Sequence, residues 1–292
     1  MSLWQRVDNF FIDQFANWAT FTFDRFMNKH MQKRVEGLPD IRNIMSNVSL
    51  LFLNRVPLLD FPTATTHKIV DIGGISVRKS TTPLDEELSR LLSVRPHTVL
   101  IAFGTISLSM DMPEQYKESI VEAARRLPEV TFIWKYENAT HNISRGLANL
   151  YTRTWIPQKK LLHDSRLSAF ITHAGLSSTL EACMAGIPVI AVPTASDQYR
   201  NAEILRRNGV GFVLQKSDLG NTDKLESTLR AILTEDRYKS AAQKVAKMLQ
   251  DQPFTAKELF VKNMEFLAAH GPLHQLNHYG TELNTVEFSI VT

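Results

Sequence analysis

The stretch from Trp155 to Asn201 constrains the fold of this chain more than any other part of the sequence. Two short, continuous apolar runs, LSAFIT and PVIAVP, lie in it on either side of a helix predicted to begin near Ser177. Continuous apolar runs are typical of strands in a parallel sheet that is covered on both faces. This strand-helix-strand unit therefore predicts a buried parallel sheet.

The same alternation continues through most of the chain after His97. The further strand-like segments are TVLIAFG, VTFIWKY, NLYTRTWIP and GFVLQ. The helical segments are PEQYKESIVEAARRLP, QKKLLHD, DQYRNAEILRRNG and residues 222–234, 236–250 and 255–269. Alternating strands and helices with short connections require a doubly wound parallel sheet with right-handed crossovers. We predict an α/β protein with a Rossmann-like domain at 97–270.

The residues before this domain follow a different pattern. Residues 3–36 carry aromatic and aliphatic side chains at largely helical spacing, which is typical of a core-facing helix; binding to a membrane surface is the second interpretation. Residues 1–78 are predicted to be the tail of another α/β domain, 79–96 a polar linker, and 271–292 a carboxyl-terminal tail without periodicity.

Composition excludes several classes of protein. The net charge is +3 over 292 residues, and no basic block is interleaved with aromatics, so nucleic-acid binding is not expected. Cys183 is the only cysteine, which excludes an intrachain disulfide and a cysteine-based metal site; it is predicted to be a small core residue. No apolar run approaches the roughly 20 residues that span a bilayer, and no signal peptide is recognisable.

The turn HAGLSS, between the first strand of the central stretch and its helix, predicts an anion site. Gly175, Ser177 and Ser178 are small, so the free N–H groups and positive dipole end of the helix are accessible there. His173, at the strand tip, either donates to a phosphate or serves only a local hydrogen-bond network. Thr105 follows a glycine after another strand, where a phosphate can approach the backbone. No dinucleotide fingerprint or P-loop is present, so a different loop would hold the phosphate.

The polar and aromatic residues around this turn predict a nucleotide-diphosphate pocket at the carboxyl edge of the sheet. Trp155 either stacks on a base or belongs to the core, and Gln158 could read the edge of the base. Glu181 either accepts hydrogen bonds from a sugar diol or is a solvated helix residue. Asp197 and Gln198 suit sugar hydroxyls, although Asp197 could be only a helix cap. No nucleophile-base arrangement is recognisable, so the pocket is predicted to be a binding site.

The segments WIPQ, FITHAGLSSTLEA, GIPVIAVP and DQYRNA together resemble the signature of the UDP-glycosyltransferases, in particular the animal glucuronosyltransferase type. FGT, WKY, FLAAH and YGTEL are also similar to that family, which extends the likeness over nearly the whole chain. The resemblance implies a GT-B-like fold of two Rossmann-like domains that face each other across a cleft, with the nucleotide sugar held by the carboxyl-terminal one.

The resemblance also implies a role for each matching residue. Trp155 would stack on uracil, Gln158 would contact the base or ribose, and Glu181 would bind the ribose hydroxyls. Asp197 and Gln198 would bind the transferred sugar. The diphosphate would be held by His173, Gly175, Ser177 and Ser178, with Thr105 assisting. The donor would be UDP-glucuronate or UDP-glucose, the acceptor a small lipophilic hydroxyl compound, and no metal or other cofactor is expected.

Three positions depart from the family pattern: Ala174 replaces a usual glycine, Ser177 a usual asparagine and Lys135 a frequent arginine. A methyl group at Ala174 would crowd the phosphate unless the residue has a negative φ. Ser177 shortens one phosphate contact, and Lys135 keeps the charge but loses the planar fork.

The family's catalytic histidine would lie upstream of Met1, so no catalytic residue is expected within the chain, which resembles a fragment or incomplete form. Two hypotheses stay open: a hexosyltransferase, or a UDP-sugar-binding fragment without the base. A sugar-nucleotide epimerase is a third, weaker interpretation. The resemblance implies the lumenal side of the endoplasmic reticulum membrane, which three Asn-X-Ser/Thr triplets fit. Association between copies of the chain stays open.

Overall fold

The computed structural model describes residues 3–77 and 82–277. The chain forms two compact units. The first comprises Met1–Leu51, Thr65–Val70 and Asn263–Thr292, and the second comprises Phe52–Ala64 and Asp71–Lys262. Of the predicted carboxyl-terminal tail at 271–292, which includes the family-like YGTEL, residues 278–292 lie outside the described part.

The strands are β1 Leu51–Leu53, β2 Ile69–Asp71, β3 His97–Ala102, β4 Val130–Lys135, β5 Leu150–Arg153, β6 Ala169–Thr172, β7 Val189–Ala191 and β8 Gly211–Val213. The α-helices are α1 Leu3–Gln32, α2 Ile41–Ser46, α3 Glu86–Val94, α4 Glu114–Arg126, α5 Gln158–Leu162, α6 Leu176–Ala185, α7 Gln198–Arg207, α8 Thr222–Thr234, α9 Asp236–Gln250 and α10 Ala256–His270. Every strand and helix predicted after His97 is present within a few residues of its predicted bounds.

The second unit is built on a six-stranded parallel sheet in the order β5-β4-β3-β6-β7-β8. The chain enters at β3, moves outward to β5, and then crosses back to place β6 on the other side of β3, with Val99 opposite Ala169. This reversal creates a switch point between the carboxyl ends of β3 and β6, where doubly wound folds bind ligands. The predicted α/β class with a doubly wound parallel sheet is confirmed.

The sheet is buried on both faces, which explains its continuous apolar runs. In β3, Leu100 and Ala102 pack into one core cluster and Val99 and Ile101 into another, and all four side chains are fully buried. Cys183 is buried in the first cluster, as predicted, and burial raises the pKa of its thiol to about 12.

The segment predicted as a linker at 79–96 contains a structural helix of the second unit. Residues 79–81 lie outside the described part, but α3 packs Leu88, Leu91 and Leu92 into the first core cluster. The Asp85 carboxylate accepts a hydrogen bond from the Leu88 amide at 2.8 Å and so caps the helix. The sequence predicts that this segment is partly helical, and the helix it forms packs as part of the second unit.

The aromatic stripe of α1, in the first unit, does not form a core as predicted. Trp4, Phe11, Phe15 and Trp18 are between 62% and 76% exposed. Within the described part of this unit, the Asn28 amide of α1 donates to the Asp40 carboxylate, in the loop before α2, at 2.6 Å. In the described residues, no helix combines the length and apolar character that crossing a bilayer requires.

Candidate functional site

A cavity of about 770 Å³ lies in the second unit at the carboxyl ends of β3 and β6. Nine of the ten predicted site residues line it: Thr105, Trp155, Gln158, His173, Gly175, Ser177, Ser178, Glu181 and Gln198. They come from four separate segments of the chain, and the switch point of the sheet brings them together.

The start of α6 forms one wall of this cavity. Gly175 is the N-cap residue and has no side chain with which to satisfy the first amides, and the first turn of the helix holds no acidic residue. Gly175, Leu176, Ser177 and Ser178 all line the cavity. The positive end of the helix dipole therefore borders the cavity, as an anion site requires.

The His173 ring lies close to two glycines, Gly104 after β3 and Gly175 at the start of α6. A Cβ atom on Gly104 would come within 2.7 Å of the imidazole Cε1, and one on Gly175 within 2.6 Å of Nε2. Any larger residue at either position would displace the ring. Burial lowers the pKa of His173 below its usual 6.5, and the negative charge of Asp197 opposes this shift. The ring is therefore mainly neutral near pH 7, and one of its nitrogens can donate a hydrogen bond.

Ala174, which follows His173, adopts a left-handed conformation with φ of 59°. From the sequence, a negative φ at Ala174 is required if its methyl group is not to crowd a phosphate, and the positive φ does not meet this condition. However, the residue is fully buried and belongs to the core cluster, and it is not among the residues that line the cavity. In the described structure, the methyl group of Ala174 therefore takes no space from the cavity, but the left-handed backbone is strained by an energy of order 1 kcal/mol.

The opposite end of the cavity carries Trp155, Gln158 and Glu181. Trp155 is 70% exposed, so its assignment to the core is wrong. Glu181 is only 6% exposed, so the solvated alternative is wrong for it as well. The Gln158 side-chain amide donates to Glu181 Oε2 at 2.7 Å and to Ser178 Oγ at 3.1 Å, and Lys159 Nζ lies 3.8 Å from Glu181 Oε1. The polar side chains at this end of the cavity therefore bond to one another, and the Trp155 side chain at the same end is exposed.

Gln198 borders the end of the cavity that is formed by the loop before α7. Its Oε1 accepts hydrogen bonds from the Thr194 amide at 2.8 Å, from the Thr194 hydroxyl at 2.8 Å and from the Ala195 amide at 3.1 Å. The side-chain oxygen thus holds its own loop, and the amide nitrogen is the group that it can offer to a ligand.

Asp197, the tenth predicted residue, does not line this cavity in the described structure. It lines an adjoining cavity of about 280 Å³, and Leu176 borders both. Asp197 already has helical backbone angles, so it and Gln198 point about 100° apart around the helix axis. Its carboxylate caps no amide of α7, which excludes the capping alternative, and instead accepts a hydrogen bond from the Asn201 side chain at 2.8 Å.

Sequence reasoning did not include Lys135 among the site residues, yet it lines the cavity. Lys135 is 7% exposed, and its Nζ donates to the Gly104 carbonyl at 2.7 Å and to Glu137 Oε1 at 2.9 Å. The signal in the sequence was that a charged residue, Lys135, ends a buried apolar strand, at the edge of the sheet where the cavity lies. The other lining residues not predicted are Gly104, Ile106, Ser107, Ile156, Pro157, Lys159, Lys160, Leu176 and Ala195. Within the described residues, no cluster of three or more His, Cys, Asp or Glu side chains could hold a metal ion.

The fold and cavity define a doubly wound α/β protein in which the start of α6 borders a cavity at the switch point of the sheet. The chain belongs to the family described as UDP-glucoronosyl and UDP-glucosyl transferase, whose model matches residues 1–286.

Known relatives agree with this assignment. The chain is 28% identical over 273 residues to the putative UDP-glucuronosyltransferase ugt-47 of Caenorhabditis elegans, covering 92% of the chain and 51% of the relative. It is 29% identical over 255 residues to UDP-glucosyltransferase 2 of Dactylopius coccus, covering 87% and 48%. The chain thus spans about half the length of the curated relatives that it matches.

The fold is also similar to that of a solved GT-B glycosyltransferase, the glycotransferase of kitacinnamycin. The TM-score is 0.53 at 19% identity, covering 64% of this chain and 46% of the other. At that identity the likeness supports the fold alone.

Proposed function

We propose that this chain carries the UDP-sugar site of a glycosyltransferase that moves a glucuronosyl or glucosyl group from UDP to a small lipophilic hydroxyl compound. One observation carries the proposal: His173 and the start of α6 share a cavity with an exposed indole and a buried carboxylate-amide pair. Family membership supports the same chemistry.

In this proposal the three parts of UDP meet three different surfaces. The uracil stacks on Trp155, whose face is exposed, and Gln158 contacts the base or ribose. Glu181 accepts hydrogen bonds from the ribose hydroxyls, because a buried carboxylate offers only acceptors. The diphosphate lies against the amides of the α6 start, with His173 donating to it.

The hexosyl group would extend toward Gln198 and Asp197. Transfer would form a bond between the acceptor oxygen and the anomeric carbon and break the bond from that carbon to the β-phosphate of UDP. The acceptor hydroxyl would lose its proton to a general base that is not among the donor-site residues named above. The α6 start and His173 would stabilise the negative charge that develops on departing UDP.

Titration calorimetry of the chain with UDP, UDP-glucose and UDP-glucuronate tests the binding part of this proposal. We expect saturable binding of UDP and of at least one UDP-sugar, and much weaker binding of uridine, which lacks the diphosphate. An assay of UDP release with a mixture of phenols tests turnover. Binding without turnover would support a donor-binding unit that needs a base from elsewhere, whereas an absence of UDP binding would contradict the proposal.

We further propose that the protein acts on the lumenal side of the endoplasmic reticulum membrane, as the resemblance implies. Asn47 and Asn142, in two of the three acceptor triplets, are exposed and so accessible to glycosylation. Expression in animal cells followed by treatment with an N-glycan-cleaving enzyme tests this location. We expect a faster-migrating band after treatment, and no shift would argue against a lumenal chain.

A further inference from the structure

Asp60 is a buried carboxylate in the second unit, distant in sequence from every residue of the cavity. It is 7% exposed, and it accepts a hydrogen bond from the Phe61 amide at 2.7 Å. Arg200, on the first turn of α7, reaches both of its oxygens, at 2.7 Å and 2.8 Å. A buried charge is stable only with such partners, so this pair holds the two segments together.

The same short segment contacts the carboxyl end of α7. Arg207 donates to the Asp60 carbonyl at 2.9 Å, and the Asn208 side chain donates to the Leu59 carbonyl at 3.0 Å. The Phe61 ring lies beside both guanidinium groups, 5.8 Å from that of Arg200 and 5.2 Å from that of Arg207. Helix α7 is therefore fixed at both ends by residues 59–61.

The segment that carries Asp60 is itself held firmly. Arg55 forms a two-pronged pair with Asp71, at 2.7 Å and 2.9 Å, and donates to Thr63 at 2.8 Å. Hydrogen bonding to Asp71 raises the pKa of Arg55, so the guanidinium keeps its charge. Gly73 approaches the Arg55 backbone so closely that an added Cβ would overlap with it. Asp60 thus belongs to a fixed support rather than to a free loop.

The start of α7 is the wall of the site where the hexosyl group is proposed to bind. Gln198 begins the helix and holds the Thr194–Ala195 loop through its side-chain oxygen. Asp197 precedes it, and Arg200 follows within the same turn. Any shift of this turn relative to α6 changes the hexosyl end of the cavity but leaves Trp155 and Glu181, which lie on other elements.

We propose that Asp60 is a positioning residue that sets the hexosyl end of the site by anchoring α7 through Arg200 and Arg207. Asp60 lines the adjoining cavity with Asp197 and Arg200, and not the cavity in which UDP is proposed to bind, so its effect on that cavity passes through α7. The inference rests on the proposed function, because it presumes that UDP-sugars bind in this cavity.

Asp60→Asn is the test variant, because it keeps the shape of the side chain and removes the charge. Calorimetry should show the affinity for the preferred UDP-sugar reduced by roughly tenfold, the range of coupling expected for contacting residues. The affinity for UDP should stay within about twofold, because the diphosphate and nucleoside contacts come from α6, α5 and the β5-α5 loop.

A matched control separates this role from general stability. Asp164 is a partly buried carboxylate paired with an arginine, Arg166, at 2.7 Å, but it lies before β6, at the opposite edge of the sheet from the cavity. Asp164→Asn should lower the melting temperature without changing the ratio of UDP-sugar to UDP affinity. Arg200→Lys, which retains a cation, should lower the ratio of UDP-sugar affinity to UDP affinity less than Arg200→Gln does.

The double variant Asp60→Asn with Arg200→Gln completes the design. If both residues act through one contact, its loss of UDP-sugar affinity should be no larger than that of the worse single variant. If Asp60→Asn left the ratio of UDP-sugar affinity to UDP affinity unchanged, whether or not both affinities fell, the positioning role would be overturned. An absence of UDP binding in the unaltered chain would instead refute the proposed function, and with it this inference.

Discussion

The two ends of the cavity are organised differently. At the end that we propose for the nucleoside, Gln158 and Glu181 are joined across 23 residues of sequence, and the contact links α5 to α6. At the end that we propose for the hexosyl group, Gln198 bonds within its own loop, to Thr194 and Ala195. Asp197, which lines the adjoining cavity, bonds one turn along its own helix. The side chains of the first end are ordered by a contact between two helices, whereas those of the second bond locally, on a helix that tertiary contacts hold in place.

This difference implies a division between fixed and adjustable recognition. A buried pair such as Gln158 with Glu181 changes only if two packed helices move, so the nucleoside end is preorganised for one ligand. The loop at 194–198 can change by exchanging short-range hydrogen bonds, and its Ser196 has a positive φ of 54°. Replacements at the fixed end should therefore affect every ligand that contains UDP, whereas those at the adjustable end should affect only the sugar.

The largest effect should come from Gly175→Val, which tests the fixed part. Its Cβ would lie 2.6 Å from His173 Nε2, so the ring must leave its place at the helix start. We expect UDP affinity to fall by about 3 kcal/mol or more, from overpacking and the lost charge-assisted hydrogen bond together. Calorimetry measures this loss. Gly220→Val, where the added atoms meet a Gln115 side chain outside the cavity, is the control and should bind UDP normally.

His173→Ala should have the next largest effect. Removal of the imidazole leaves the diphosphate without one donor, and we expect UDP affinity to fall by about 1.5 to 3 kcal/mol, the scale for hydrogen bonds to charged groups. UDP-sugars should lose the same amount, because the lost contact is common to both. His97→Ala, at the opposite end of a neighbouring strand, serves as the control. An unchanged dissociation constant in His173→Ala would refute the assigned role.

Asp197→Ala tests the adjustable end. UDP affinity should stay within about 0.5 kcal/mol of the original, while the affinity for the intact UDP-sugar should fall by about 1 to 2 kcal/mol through loss of a hydrogen-bond acceptor. Parallel titrations with UDP and UDP-sugar give the comparison. If both ligands lost affinity equally, the distinction between the two ends of the cavity would be contradicted.

The smallest effect should be a pH dependence of stability from His173. Its folded pKa is lowered below 6.5 by burial, so the unfolded chain binds a proton more readily than the folded one. The stabilisation is complete above pH 6.5 and is lost as the pH falls from 6.5 through the folded pKa. Chemical denaturation of His173→Gln at several pH values should show a shallower decline than the original chain. An identical pH profile would show that another group causes the decline.

The sequence predicted the sheet well because the strands are buried on both faces, and continuous apolar runs leave few alternatives. It also predicted the start of α6 within one residue, because the small residues of HAGLSS mark the end of a strand. Nine of the ten residues that the sequence predicts for the site line one cavity. These residues flank strand ends, and the carboxyl ends of parallel strands necessarily share one edge of the sheet.

The failures have a common physical cause: sequence pattern gives spacing along one element but not the partner of that element. The aromatic spacing of α1 predicts an apolar face but not that another element covers it. Asp197 and Gln198 are adjacent in sequence, and the sequence predicts that they act as a pair, but successive residues of a helix point in different directions, and the two line different cavities. The partner of Asp60 on α7 was likewise invisible, because 140 residues separate Asp60 from Arg200.

The buried Asn201 side chain links the two ends through one carboxamide. Its nitrogen donates to the Ala174 carbonyl at 3.0 Å and to Asp197 at 2.8 Å, so the two hydrogens of a single NH₂ group serve the phosphate turn and the sugar loop. If a UDP-sugar binds as proposed and draws Asp197 away, only one of these two hydrogen bonds is broken. The other still holds the turn before α6, so the hexosyl group could vary while the proposed diphosphate site keeps its shape.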